Sequence, residues 1–389
     1  SDACLRLYGH PGLLATAAPI LAALSDMALQ LGLLAEAKDA AQKAVASDPT
    51  FHNARVMLAR SHVALDETEA ALADFRAALA MTRPGTGPAP AGPVPVPAHQ
   101  ALHTLEQLVY LEQAEKRPPG SLLPVDPNLR AAAQAKLEQM LADTAREIPT
   151  LPMGGAYGRI LADPPLLRLD EPAPARCLNP RADWDEIVAT FKGPGKGIAW
   201  FDDLLTPEAL DQLQRFCLHS TVWRRPYPPG YIGASPETGF FSPLLLQVAR
   251  ELREAVPGLL GGHHLSYWWS FVCQHQRPGT DIHADQSDVS INFWITPDSA
   301  NLDKSGGGLD MWDVQAPSDW SFADYNSGEK DIEGFLRDSK ANRMAVPYGE
   351  NRALLFHGLI FHQSAEAKFK PGFENRRRNV TMLFRRTRG

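Results

Sequence analysis

His283 and Asp285 stand two residues apart in the segment His-Ala-Asp, between two stretches rich in β-branched and aromatic residues. In an extended chain, residues i and i+2 project to the same side, so one imidazole and one carboxylate can grip one face of a metal ion. Seventy-seven residues after Asp285 comes His362, just past the strand-like NRALLF and a short turn. Two imidazoles and one carboxylate on one face leave the opposite positions open, the donor set that suits Fe(II) and O2 chemistry. A single carboxylate leaves the ion with net positive charge, which favours an anionic, chelating co-substrate. His357, five residues before His362 and directly at the end of NRALLF, is the rival third ligand or a pocket residue.

A dicarboxylate held by such an ion needs a cation at its far end. Arg377 stands fifteen residues beyond His362 in ENRRRNVTMLF. Strand alternation sorts this stretch into Arg377, Asn379 and Thr381 on one face and Arg378, Val380, Met382 and Phe384 on the other. The first face is polar, as a ligand-lined interior requires, and the second suits packing outside it. Arg377 is therefore the expected bidentate carboxylate clamp, with Asn379 and Thr381 as hydrogen-bonding neighbours. Arg376 and Arg378 take that role if the register slips by one.

Five segments read as strands: HLSYWWSFVCQHQ, SDVSINFWITP, GGLDMWDV, NRALLFHG and RRNVTMLFR. Turns separate them, which implies a sandwich or barrel. Two helices open this part, TPEALDQLQRFCLHS with Thr206 as N-cap and FSPLLLQVARELREAV. Trp268, Trp269, Trp294 and Trp312 are expected in the sheet core or pocket wall. The Pro/Gly-rich loop carrying Arg224 and Arg225 could cover the mouth of a site. The stretch 316–349, too long for a bare connection, reads as an ordered lid.

Upstream the texture differs. Residues 12–83 are rich in Ala and Leu with apolar spacings of three and four, and shifting the segment by 34 residues superposes Leu24 on Leu58, Leu31 on Leu65, Ala37 on Ala71, Ala41 on Phe75 and Ala44 on Ala78. That period resembles the tetratricopeptide repeat, a stacking helix-turn-helix unit, over about two repeats. An ordinary Ala-rich hairpin is the plainer reading. A stable array needs about three repeats, so a further one is expected before Ser1 or from later helices. Residues 84–97 hold six prolines and should form an extended connector. The expected organisation is a repeat module over 1–84, a linker over 85–97, a helical extension over 98–150 and a catalytic domain over 151–389.

From about 198 to 388 the chain resembles 2-oxoglutarate/Fe(II)-dependent dioxygenases of the prolyl-hydroxylase-like type. The pieces that carry the resemblance are IAWFDDLLTPEAL, HAD, GGGLDMW, the NRALLF turn with His362, and the Arg-x-Asn-x-Thr strand. It implies a double-stranded β-helix, hence an α+β multidomain chain overall, with His362 rather than His357 as third ligand. It also implies Fe(II) as the metal, 2-oxoglutarate as a chelating co-substrate and O2 as oxidant, with succinate and CO2 released as a substrate C–H bond is oxidised. Relatives hold 2-oxoglutarate partly through a Tyr nine residues before the first ligand, where this chain has Gln274.

A formal net charge of -7 gives no basic field for nucleic acid. No apolar run reaches about 18 residues, so no membrane partner is expected. Four scattered cysteines without a CxxC pair speak against a disulfide framework and for a reducing cytoplasm. The repeat helices point to a protein or peptide substrate, with a small molecule as the alternative. Two other functions compete: a cupin-like metal enzyme that needs no 2-oxoglutarate, and a non-enzymatic repeat scaffold.

Overall fold

The computed structural model describes residues 11–82, 92–114, 127–142, 150–228, 230–274, 276–277, 279–326 and 329–388. Four helices come first: α1 (Pro11–Leu31), α2 (Leu34–Ser47), α3 (His52–Ala64) and α4 (Thr68–Thr82). α2 and α4 begin 34 residues apart, and each helix packs on the next. Small residues let the helices approach closely: Ala37, Ala41 and Ala44 are buried, as are Ala71, Phe75 and Ala78. The matched leucines do not behave alike, because Leu58 is buried while Leu24 and Leu31 are exposed on α1 beside Ile20 and Met27. α1 is the outermost helix, so one of its faces meets no neighbour among the described residues.

Of the proline-rich stretch, residues 84–91 lie outside the described residues, as does the 118–126 breaker. Val94–Pro97 forms β1, paired antiparallel with β2 (Thr150–Met153). Prolines alternate with valines there, so every second residue keeps an N–H and a short edge pairing survives. α5 (Ala98–Gln113), α6 (Pro127–Ala142) and α7 (Gly155–Ala162) complete this helical part.

The remaining elements are α8 (Trp184–Lys192), β3 (Ile198–Phe201), α9 (Pro207–His219), β4 (Arg225–Tyr227), β5 (Tyr231–Ala234), α10 (Pro243–Ala255), α11 (Pro257–Leu260), β6 (His263–Cys273), β7 (Gln276–Arg277) and β8 (Val289–Trp294). After them come β9 (Leu309–Gln315), α12 (Phe322–Asn326), α13 (Ile332–Asp338), β10 (Arg343–Val346), β11 (Ala353–His357), β12 (Ile360–Ser364), β13 (Ala367–Lys368) and β14 (Arg378–Arg386). Thr206 caps α9 as expected, its hydroxyl accepting from Ala209 N at 3.2 Å.

Seven antiparallel strands form one sheet in the order β3-β11-β8-β14-β6-β5-β4, and β10-β9-β12 form a smaller one. An isolated bridge between His283 and His362 extends the smaller sheet by one short segment. The large sheet has two unlike faces. Trp268 and Val272, with Val380, Met382, Phe384, Ile291 and Phe293, pack against the helices in one continuous apolar core. That core reaches α4, where Phe75 stacks on Phe241 at 4.8 Å and meets Trp268 edge-on at 5.8 Å. Toward the small sheet, Trp294, Leu354 and Phe356 join Leu309, Met311 and Ile360 in a second apolar cluster. The opening beside that cluster holds the candidate site.

Candidate metal centre

The bridge brings two distant segments together: His283 N donates to His362 O at 3.0 Å and His362 N to His283 O at 2.8 Å. On its flank, Asp285 N donates to Gly358 O at 2.8 Å. The approach is close, since a Cβ on Gly358 would lie 2.1 Å from Ser287 Oγ. His283, Asp285 and His362 then each present a ligand atom, and these atoms lie within 4.8 Å of one another. The two imidazole centroids are 4.4 Å apart.

Neighbouring groups fix the donor atoms. His283 Nδ1 lies 2.9 Å from Asp281 O, and His362 Nδ1 lies 3.0 Å from Ile360 O. A carbonyl only accepts, so both Nδ1 atoms carry the hydrogen and both Nε2 lone pairs face the cluster. Ser290 Oγ donates to Asp285 Oδ2 at 2.7 Å and is itself 2.8 Å from Ser287 Oγ. His362 is buried, and burial with the adjacent His283 holds its pKa down at about 4. The imidazole is thus neutral at ordinary pH, as a metal ligand must be.

A cavity of about 500 Å³ opens on this cluster. Arg377, Asn379 and Thr381 line it with Leu383 and Arg385, so the odd-numbered face of β14 points inward. Arg377 is buried; its Nε donates to Gly307 O at 2.5 Å and its guanidinium lies 5.9 Å from the Trp294 ring. Gly307 sits at φ +82°, a conformation that glycine adopts at no steric cost. Asn379 Nδ2 and Thr381 Oγ1 donate to Asn292 Oδ1 at 2.7 and 3.1 Å. Asn292 Nδ2 is buried in this lining without a hydrogen-bond partner among the described residues.

Four expected site residues lie elsewhere, mostly for reasons of strand parity. His357 falls on the helix-facing side of β11, meets Phe191 edge-on at 4.8 Å, and lies outside both the ligand cluster and the cavity lining. Gln274 follows the even, helix-facing side of β6, and Cys273 lines the cavity in its place. Arg378 points to the same helix-facing side, donating to Phe373 O at 2.7 Å and to Arg376 O at 3.0 Å, with burial pulling its pKa down to about 10. Trp294 faces inward but is covered, packing on Tyr348 at 5.7 Å rather than lining the cavity. Arg376 is buried in an ion pair with Glu106 of α5 at 2.7 Å.

The cavity also draws on residues the motifs did not single out. Tyr267, Trp269, Phe271 and Cys273 line it from β6, Tyr227 from β4 and Tyr231 from β5. Period-2 reading of HLSYWWSFVC would have grouped the β6 set. Gln30 of α1 and Arg60 of α3 reach it too, and no local pattern marks them. Arg225 lines it as the loop reading suggested, whereas Arg224 pairs with Asp163. Phe322 and Asn326 come from the 316–349 insertion, which is bound to the metal segment through Ala284 N to Tyr325 O at 3.0 Å. His275 lies outside the described residues.

No family model matches the sequence, and no curated protein matches it. Among solved structures, the non-heme alpha ketoglutarate dependent epimerase SnoN from nogalamycin biosynthesis aligns at 12% identity and TM-score 0.38, over 52% of this chain and 83% of that one. A Pseudomonas putida prolyl-4-hydroxylase aligns at 14% and 0.34, over 53% and 100%. HygX from Streptomyces hygroscopicus, with nickel and 2-oxoglutarate bound, aligns at 11% and 0.36, over 52% and 87%. At these values the likeness is loose.

Proposed function

We propose that the chain is an Fe(II)- and 2-oxoglutarate-dependent oxygenase, a hydroxylase acting on a protein or peptide that the N-terminal helices recruit. The observation that carries the reading is one cavity holding His283, Asp285 and His362 together with Arg377 on the inward face of β14. Two Nε2 atoms and one carboxylate form the donor set that leaves half an iron coordination sphere open. The unpartnered Asn292 Nδ2 supplies a donor between that set and Arg377, where a dicarboxylate would lie. Iron and 2-oxoglutarate, when bound, supply the means to activate O2 for C–H oxidation, with loss of succinate and CO2.

The chain's own groups have narrower tasks. Asp281 O and Ile360 O aim the imidazoles, Ser290 orients Asp285, and Arg377 recognises the far carboxylate as a planar fork. Phe356 and Leu309 give the centre an apolar wall that limits water. The cupin-like alternative gives Arg377 no work. A structural metal site would be closed by protein ligands, and the described residues offer three.

Anaerobic addition of Fe(II) and 2-oxoglutarate should produce the weak visible charge-transfer band of the chelate. Asp285→Ala should abolish the band, and Arg377→Ala should shift it to higher 2-oxoglutarate concentration. A folded wild-type protein without the band overturns the proposal. Cell extract incubated with the enzyme should then show peptides heavier by one oxygen atom; oxidation confined to small molecules would overturn the peptide part.

A further inference from the structure

The cavity carries more positive charge than a single dicarboxylate needs. Its charged lining, besides the two histidines, is Arg60, Arg225, Arg377 and Arg385 against Asp281 and Asp285, with Arg60 paired to Asp26 at 2.8 Å and Arg225 3.6 Å from Glu237 just outside it. Arg377 and Arg385 lie on the same face of β14, eight residues and about 26 Å of extended chain apart. Register places the metal cluster toward the Arg385 end. Asp285 is held by Ser290, which pairs with Leu383. Arg385 Nε and Nη2 donate to Gln286 O at 3.0 and 2.8 Å, next to Asp285.

Arg385 differs from a structural arginine in its partners. Its third bond, from Nη1 at 2.5 Å, goes to Gln30 O at the end of α1, so all three bonds end on just two acceptors, both backbone carbonyl oxygens. A guanidinium has five N–H donors, and among the described residues no carboxylate comes within ion-pair distance of this one, Asp288 and Asp26 acting on it from farther off. On the β6 side of the same cavity the wall is aromatic, with Tyr267 beside Leu383 and Trp269 beside Thr381 in register.

We infer that Arg385 is a specificity-determining residue that receives an anionic group of the oxidised substrate, whose apolar part lies against Tyr267 and Trp269. The inference rests on the oxygenase reading and names the substrate class of that same site: a carboxylate, sulfonate or phosphate separated by an apolar segment from the carbon to be oxidised. An acidic peptide side chain and a small organic acid share this chemistry. Because Gln30 O holds Arg385, the N-terminal helices take part in building this subsite.

The test uses the full chain loaded with Ni(II) and saturating 2-oxoglutarate, so that Arg377 and the metal are occupied. Three probes differing in charge, 3-phenylpropane-1-sulfonate, 3-phenylpropan-1-ol and 3-phenylpropan-1-amine, are titrated by tryptophan fluorescence and ligand-observed NMR. The sulfonate should bind about tenfold or more tightly than the alcohol, and the amine more weakly still. Arg385→Gln should erase the preference and Arg385→Lys should keep part of it, with circular dichroism and the thermal midpoint checking the fold. Equal binding of the three probes, or a preference that survives in folded Arg385→Gln, overturns the inference. If the visible Fe(II) band forms while the probes bind alike, only this inference fails. If the band never forms while the preference follows Arg385, the anion subsite stands and the oxygenase reading falls.

Discussion

Ser290 is not one of the three candidate ligands, yet its hydroxyl holds Asp285 through Oδ2 at 2.7 Å. Outer hydrogen bonds of this kind set metal affinity by roughly ten- to a hundredfold. Ser290→Ala should therefore weaken Ni(II) binding by about tenfold in calorimetric titration while leaving the fold intact; unchanged affinity would mean that Asp285 is oriented by the backbone alone. Protonation acts at the same scale. Burial holds His99, His264 and His362 at about 4, below the usual value of 6.5. The unfolded chain then binds more protons than the folded one below pH 6.5, so stability is complete above that value and falls as pH drops toward 4. The metal-free protein should lose on the order of several kcal/mol across this window, read from urea midpoints at pH 7, 5.5 and 4.5. A flat profile would place these imidazoles in water.

At the scale of elements, parity decides what the sequence could disclose. The β14 alternation was legible because its inward face is polar and its outward face apolar, and the cavity follows it residue for residue. β6 is apolar or aromatic on both sides, so nothing in its residues tells Cys273 from Gln274. β11 offered only LLF before His357, and the side that histidine takes follows from pairing with β3 and β8, a long-range choice. The buried Arg376–Glu106 pair joins β14 to α5 across 270 residues, beyond any local signal. Breaking it by Glu106→Ala leaves a buried arginine uncompensated and should cost about 3–5 kcal/mol. The double variant Glu106→Leu/Arg376→Met should recover most of that loss, and a single substitution without effect would show that water reaches the guanidinium.

Over the whole molecule, the helical character of residues 12–83 was readable in the sequence and the destination of the helices was not. Phe75 reads as one more apolar position of a repeat, yet it is wedged between Phe241 and Trp268 of the β domain. Apolar side chains of α1, α3 and α4 belong to the same core as the seven-stranded sheet. Scanning calorimetry should accordingly show one cooperative transition for α1–α4 and the sheet; two resolved transitions would mean that the helices are held only at their edge. No helix among the described residues is long and apolar enough to cross a membrane.

The backbone pair between His283 and His362 joins segments 79 positions apart. An ion held by both side chains would close a loop of about 80 residues, the topological equivalent of a disulfide made without sulfur or oxidant. Such a cross-link opens and closes with metal supply rather than redox potential, so a chelator would act on this fold as a reductant acts on a secreted one.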